Sequence, residues 1–107
     1  MSARDDRVDA VFSALSDPTR RALLGRLGAT SATTATELTA YVPVSRQAIA
    51  KHLQALSEAG LVVATRTGRE VHYEITPGPL EDAVNWMVTV GAEWDRRLAR
   101  LRRRLER

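Results

Sequence analysis

The chain contains no cysteine. That absence excludes disulfide frameworks, thiolate nucleophiles, iron–sulfur clusters and every cysteine-based zinc site. Histidine is almost as scarce: His52 and His72 are the only two, too few for a histidine-rich metal site within one chain. No apolar run approaches the ~20 residues that a membrane-spanning helix needs, so no membrane partner is expected. The opening stretch, Met1 to Ala10, lacks the basic-then-apolar layout of a signal peptide, which makes the cytoplasm the expected compartment. Lysine is nearly missing as well, since Lys51 is the only one among 16 basic residues. An arginine-leaning coding bias accounts for this as well as a need for phosphate contacts does.

What is present is globular. At 107 residues, 44% hydrophobic and 27% charged, the composition is that of one domain spanning residues 1–107 with a core of its own. The net charge of +3 conceals an imbalance. Residues 96–107 hold seven Arg and one Glu, leaving nine basic and twelve acidic groups on the other 95 residues, a net of −3 there.

Punctuation divides the chain into elements. Val8, Val11, Phe12 and Leu15 predict a one-faced helix from about Asp5 to Leu15. Asp17 before Pro18 is an N-cap followed by proline at the first helical position. The second helix is expected from Pro18 to about Leu27, burying Ala22, Leu23 and Leu27. Thr34 and Glu37 make a capping box for a short third helix ending near Tyr41. Ser45, just past Pro43, caps a fourth helix over about 45–59, with Ile49, Leu53 and Leu56 inward and Gly60 as its stop. The period then changes. Branched residues from Leu61 to Thr65, a charged tip at Arg66, Gly68 and Arg69, and the alternation of Val71, Tyr73 and Ile75 predict a hairpin over about 61–76, with His72 facing outward. Pro77-Gly78-Pro79 ends it. A final helix is expected over about 80–106, where Leu80, Val84, Met87, Gly91, Trp94, Leu98, Leu101 and Leu105 form a heptad seam.

The predicted fold is therefore mainly α with a small β-hairpin, in the order α-α-α-α-β-β-α, the layout of a winged helix-turn-helix. A helix docked in a DNA major groove needs donor-rich side chains near its N-terminus and small residues where it approaches closely. Ser45, Arg46, Gln47, Ala50, Lys51 and Gln54 supply such a face opposite Ile49 and Leu53. Arg46 suits a guanine edge and Gln47 an adenine edge, whereas Ser45 and Lys51 suit phosphates. A competing reading is a winged-helix module that binds protein and ignores DNA. The net −3 of residues 1–95 speaks for it, and the lack of a large apolar anchor on the fourth helix speaks against it.

Three segments in order resemble the ArsR/SmtB family of bacterial winged-helix transcriptional repressors: ALSDPTRRALLGRL from Ala14, VSRQAIAKHLQALSEAGLV from Val44, and GREVHYEIT from Gly68. The resemblance covers about residues 8–76. It implies a homodimer assembled through the first and last helices, with recognition helices in successive major grooves of double-stranded DNA and repression as the outcome. It puts DNA contacts at Ser45, Arg46, Gln47, Ala50 and Lys51, and on the wing near Arg66 and Arg69. A dimer built that way would use Val8 and Phe12 with Val84, Met87, Trp94, Leu98 and Leu101.

Departures from the family pattern set its limits. Members that sense thiophilic metals carry a Glu-Leu-Cys-x-Cys pattern, but here Glu37-Leu38 is followed by Thr39, Ala40 and Tyr41. Members that sense zinc through the last helix pair Asp with His there, and this helix has Asp82, Glu93 and Asp95 but no His. No metal and no cofactor is expected. Nor is an enzyme: neither His has a nucleophile or carboxylate at a useful spacing, and Glu93 and Asp95 diverge on a helix. His52 reads as a packing or phosphate-contacting residue. Trp86 and Trp94 read as aromatic anchors of a dimer interface, with a pocket for a small hydrophobic effector as the alternative. The arginine tail is expected to serve dimerisation and to add long-range attraction.

Overall fold

A computed structural model of the chain describes residues 3–106. Arg107, counted above with the basic tail, lies outside the described residues, as do Met1 and Ser2. The elements follow the expected order: α1 (Ala3–Ala14), α2 (Pro18–Gly28), α3 (Ala35–Leu38), α4 (Arg46–Glu58), β1 (Val62–Thr67), β2 (Glu70–Ile75) and α5 (Pro77–Leu105).

Local chemistry fixes most of the boundaries. Asp17 Oδ1 accepts hydrogen bonds from the backbone N–H of Thr19 (2.8 Å) and of Arg20 (3.1 Å), while Pro18 takes the first helical position. The Arg20 N–H above all, then that of Thr19, holds the Asp17 carboxyl below its ordinary range despite some desolvation. At α3 only half of the expected capping box forms. Thr34 Oγ1 accepts from the Glu37 N–H at 3.1 Å, but the Glu37 carboxylate takes the Thr33 hydroxyl (2.6 Å) instead of returning to Thr34. α3 also stops three residues short of the expected Tyr41. The chain keeps turning, but through tighter i→i+3 bonds, Ala40 N–H to Glu37 O (3.2 Å) and Tyr41 N–H to Leu38 O (3.0 Å). α4 begins with Ser45 Oγ accepting from Ala48 N–H (3.1 Å). It ends in a Schellman motif, with Gly60 N–H on Ser57 O (3.0 Å), Leu61 N–H on Leu56 O (2.9 Å) and Gly60 at φ +77°.

The core gathers Ile49, Leu53 and Leu56 of α4, all fully buried, against Leu23, Leu24 and Leu27 of α2, with Val11, Leu38, Val42, Leu61, Val62 and Ala83 around them. In α2 the expected Ala22 is exposed and Leu24 is buried in its place. A helix turned to bury a leucine instead of an alanine removes more apolar surface from water, at about 25 cal/mol per Å². Ala14, not Leu15, is the fully buried residue at the end of α1.

The hairpin pairs antiparallel from Val62↔Ile75 to Thr67↔Glu70. Gly68 and Arg69 form its two-residue turn, and only Gly68 has positive φ (+64°), the pattern of a type II′ turn. Thr33 extends this sheet by one bridge, exchanging backbone bonds with Tyr73 at 3.1 and 2.7 Å. Pro77-Gly78-Pro79, expected to separate hairpin and helix, instead forms the first turn of α5. Prolines are tolerated there because first-turn N–H groups have no partner in the helix. The inner half of α5 packs on α1. Phe12 and Trp86 meet edge to face at 5.6 Å, Ala83 is buried, and Arg7 lies 3.8 Å from Asp82. Beyond this contact, every residue from Gly91 to Glu106 is exposed, and the molecule measures 68 Å along its long axis against 30 and 20 Å across.

Candidate nucleic-acid interface

The inward stripe of α4 leaves the opposite side of that helix to solvent. Arg46, Gln47, Lys51 and Gln54 are exposed there, and Ala50 is half-buried between them. Ser45 is exposed too, but its hydroxyl oxygen already accepts the Ala48 N–H as the helix cap. Gln54 lies 3.5 Å from the Glu58 carboxylate one turn on. Sequence reasoning placed all six on one face; five of them are exposed and Ala50 is half-buried.

A cleft of about 530 Å³ opens between the start of α4, the start of α3 and the hairpin. Arg46, Gln47 and Ala50 line it from α4 and Arg69 from the hairpin, so residues 19 to 23 positions apart in sequence converge on one space. Arg66 does not line the cleft, but pairs across the hairpin with Val71, which does. Lys51 and Gln54 lie outside it, further round α4. The cleft also holds residues that sequence reasoning missed: Thr34, Thr36, Glu37, Glu70 and Tyr73. Two carboxylates and two guanidinium groups thus line the same cleft, with Glu37 bonded to Thr33 and Glu70 to His72. The pairing of Thr33 with Tyr73, a contact between distant segments, holds the chain just before α3 against the hairpin beside this cleft.

The histidines differ from expectation in part. His52 is half-buried and turned towards α2, where its Nδ1 accepts a hydrogen bond from Arg20 Nε at 3.4 Å. His72, expected to face outward, is half-buried, with Nε2 3.0 Å from Glu70 Oε2. The cross-strand neighbour Thr65 and the close carboxylate hold it on the sheet. Among the described residues, no group of three or more His, Asp and Glu side chains is placed to hold a metal ion.

On the terminal helices, Val84, Met87, Trp94, Leu98, Leu101 and Leu105 are all exposed in the single chain. Phe12 is partly covered by Trp86. Val8 departs from the expectation of a dimer contact. It is only 6% exposed, already covered within its own chain where it lines a groove with Asp82, Asn85 and Trp86 of α5. The two tryptophans do not share a pocket. Trp94 lies beneath the Arg97 guanidinium (5.4 Å), about 12 Å along the helix from Trp86. The grooves beside Trp86 are small, about 230 and 280 Å³, and edged by Asp5, Asp9 and Asp82. No helix among the described residues is long and apolar enough to cross a membrane.

Comparison with known proteins agrees with this geometry. A family model described as a helix-turn-helix domain matches residues 15–64. The transcriptional repressor SdpR of Bacillus subtilis (strain 168) is 35% identical over 78 residues, which cover 73% of this chain and 86% of that protein. The structure of an ArsR-like transcriptional regulator from Rhodococcus sp. RHA1 superposes with a TM-score of 0.79 at 42% identity, covering 95% of each chain. A solution structure of a homodimeric winged helix-turn-helix DNA-binding domain from Mycobacterium bovis gives a TM-score of 0.63 at 27% identity, covering 92% of this chain and 91% of that one. The relatives are regulators of transcription, not enzymes.

Proposed function

Since this chain belongs to the ArsR family of winged helix-turn-helix regulators, and is with them a DNA-binding regulator of transcription, we propose that it acts as a homodimeric repressor that reads an imperfect palindrome and does not respond to metal. One observation carries the reading: Arg46, Gln47 and Ala50 of α4 and Arg69 of the wing share a single cleft. In this reading α4 enters the major groove, Arg46 takes a guanine edge and Gln47 an adenine edge. Ser45 and Lys51 meet phosphates beside α4, and Arg66 and Arg69 meet them beside the wing. Glu37 and Glu70 sharpen the fit. Carboxylates lining the same cleft as the two guanidinium groups disfavour indiscriminate phosphate binding.

The dimer is supported by the seam on α5, whose large apolar side chains have no cover in the single chain, and by the homodimeric relative from Mycobacterium bovis. Two heads joined in this way would present recognition helices about 34 Å apart, one turn of duplex. Indifference to metal is supported by the donor set, which contains no thiolate and has no imidazole on α5. A small apolar effector would enter beside Phe12 and Trp86 at the base of the seam. The protein would work in the cytoplasm, alongside the DNA it reads.

Selection from a randomised duplex library followed by gel shift tests the reading. A preferred, two-fold-related sequence is expected. Arg46→Ala or Gln47→Ala should relax base preference by about 1–3 kcal/mol at one position in each half-site. Lys51→Ala should weaken all sequences alike. Recovery of no preferred sequence would overturn the proposal.

A further inference from the structure

The outer end of α5 carries a charge that the repressor reading leaves unused. Arg102, Arg103 and Arg104 lie in the last turn, where they offset the negative end of the helix dipole. Arg96 and Arg97 lie more than a turn earlier and Arg100 five residues from the helix end, outside the last turn where that effect acts. Arg97 is engaged over the Trp94 ring, but no carboxylate among the described residues pairs with Arg96, Arg100 or Arg103. These three follow at i, i+4 and i+7, so they form one stripe about 10 Å long, roughly 140–200° around the helix from Leu98. Pairing of the apolar seam with a second copy would therefore leave the stripe exposed. No acidic or large apolar residue interrupts it, and it stands on the half of α5 that makes no contact with the reading head.

We propose that Arg96, Arg100 and Arg103 form a second surface for duplex nucleic acid, separate from α4 and the wing, through which a bound molecule can hold another stretch of DNA. Charge complementarity selects the occupant: a linear row of guanidinium groups matches a row of phosphates. A protein partner would need an apolar anchor, which this face lacks. The contact goes beyond the diffuse attraction that the sequence predicts for the tail.

Fluorescence anisotropy with a short random-sequence duplex tests it on three full-length proteins: the unaltered chain, R46A/Q47A/K51A on the reading face, and R96Q/R100Q/R103Q on the stripe. Glutamine keeps the helix and removes like-charge repulsion, and sedimentation should show an unchanged oligomeric state. The reading-face variant should still bind the duplex. The stripe variant should lose at least threefold in affinity at low salt, with a logarithmic salt slope shallower by about 2–3, as expected for three phosphates. A stripe variant that matches the unaltered chain, or a reading-face variant that binds no duplex, would overturn the proposal. So would displacement of the duplex from the reading-face variant by polyglutamate at equal charge, since the surface would then suit an acidic protein equally well. If instead the reading-face variant binds as well as the unaltered chain and only the stripe variant fails, the stripe stands and the repressor reading falls.

Discussion

The head of the molecule, from α1 through the hairpin, and the outer half of α5 bury their apolar side chains to very different degrees. In the head, Leu23, Leu27, Ile49, Leu53 and Leu56 are closed off from water within a single chain. On α5 beyond Gly91, Trp94, Leu98, Leu101 and Leu105 are each at least half exposed, although they repeat with the regularity of a core. A helix of 29 residues with an uncovered apolar stripe is marginal by itself, because packing rather than propensity supplies most helical stability. The difference teaches that the head closes its core within one chain, whereas the apolar repeat of the tail stays open to solvent there.

Substitutions can break that comparison, and the largest effect is expected in the head. Leu53→Ala should cost about 2–5 kcal/mol of unfolding free energy by leaving a cavity among residues that cannot collapse around it. Leu98→Ala removes the same atoms, but should leave the unfolding of the monomeric head unchanged and weaken self-association instead. Urea unfolding at two protein concentrations separates the cases, since only the tail variant should make the midpoint less concentration-dependent. An equal loss for both at every concentration would erase the distinction. Gly60→Ala comes next. Its backbone sits at φ +77° and an added Cβ would meet Pro79 Cγ at 3.2 Å, so a loss of about 1–2 kcal/mol in chemical denaturation is expected. Gly91→Ala should act the other way. Nothing lies within 4 Å of an added Cβ there, and alanine in a helix interior is favoured by about 0.5–1 kcal/mol. Circular dichroism should show a higher melting temperature.

The smallest effect concerns acid. Backbone N–H donors lower the Asp17 carboxyl below its unfolded value, so its contribution to stability is complete above the unfolded pKa and fades as pH falls through the folded one. Asp17→Asn should therefore unfold more easily than the unaltered chain near neutrality, with the gap closing in acid. Thermal melts across that range check the sign.

How much of this was legible in the sequence depended on the range of the interaction. Asp17, Ser45 and Gly60 act on groups two to four residues away, and each boundary lies where its chemistry indicated. The α5 seam was legible because a heptad survives on any long helix. The face of α2 was not, because RRALL offers two adjacent registers and only tertiary packing prefers Leu24 over Ala22. Val8 looked like an interface residue until α5 covered it. Glu37, Glu70 and Tyr73 entered the cleft through the bridge between Thr33 and Tyr73, forty positions apart, which no local pattern encodes. The Pro77-Gly78-Pro79 triplet carried a true signal that admitted two meanings, end of hairpin and start of helix, and served both.

The glycine that closes α4 also lies at the root of α5. Leu61, the next residue, accepts the Thr76 N–H at 2.8 Å, and the Gly60 backbone lies against the Pro79 ring. The reading helix and the long arm thus share a fulcrum. An arm of 29 residues is about 43 Å long, so a tilt of about 5° at that pivot sweeps its tip through about 4 Å. Run backwards, the same leverage means that a displacement of several ångströms at the tip corresponds to a turn of only a few degrees at the end of α4.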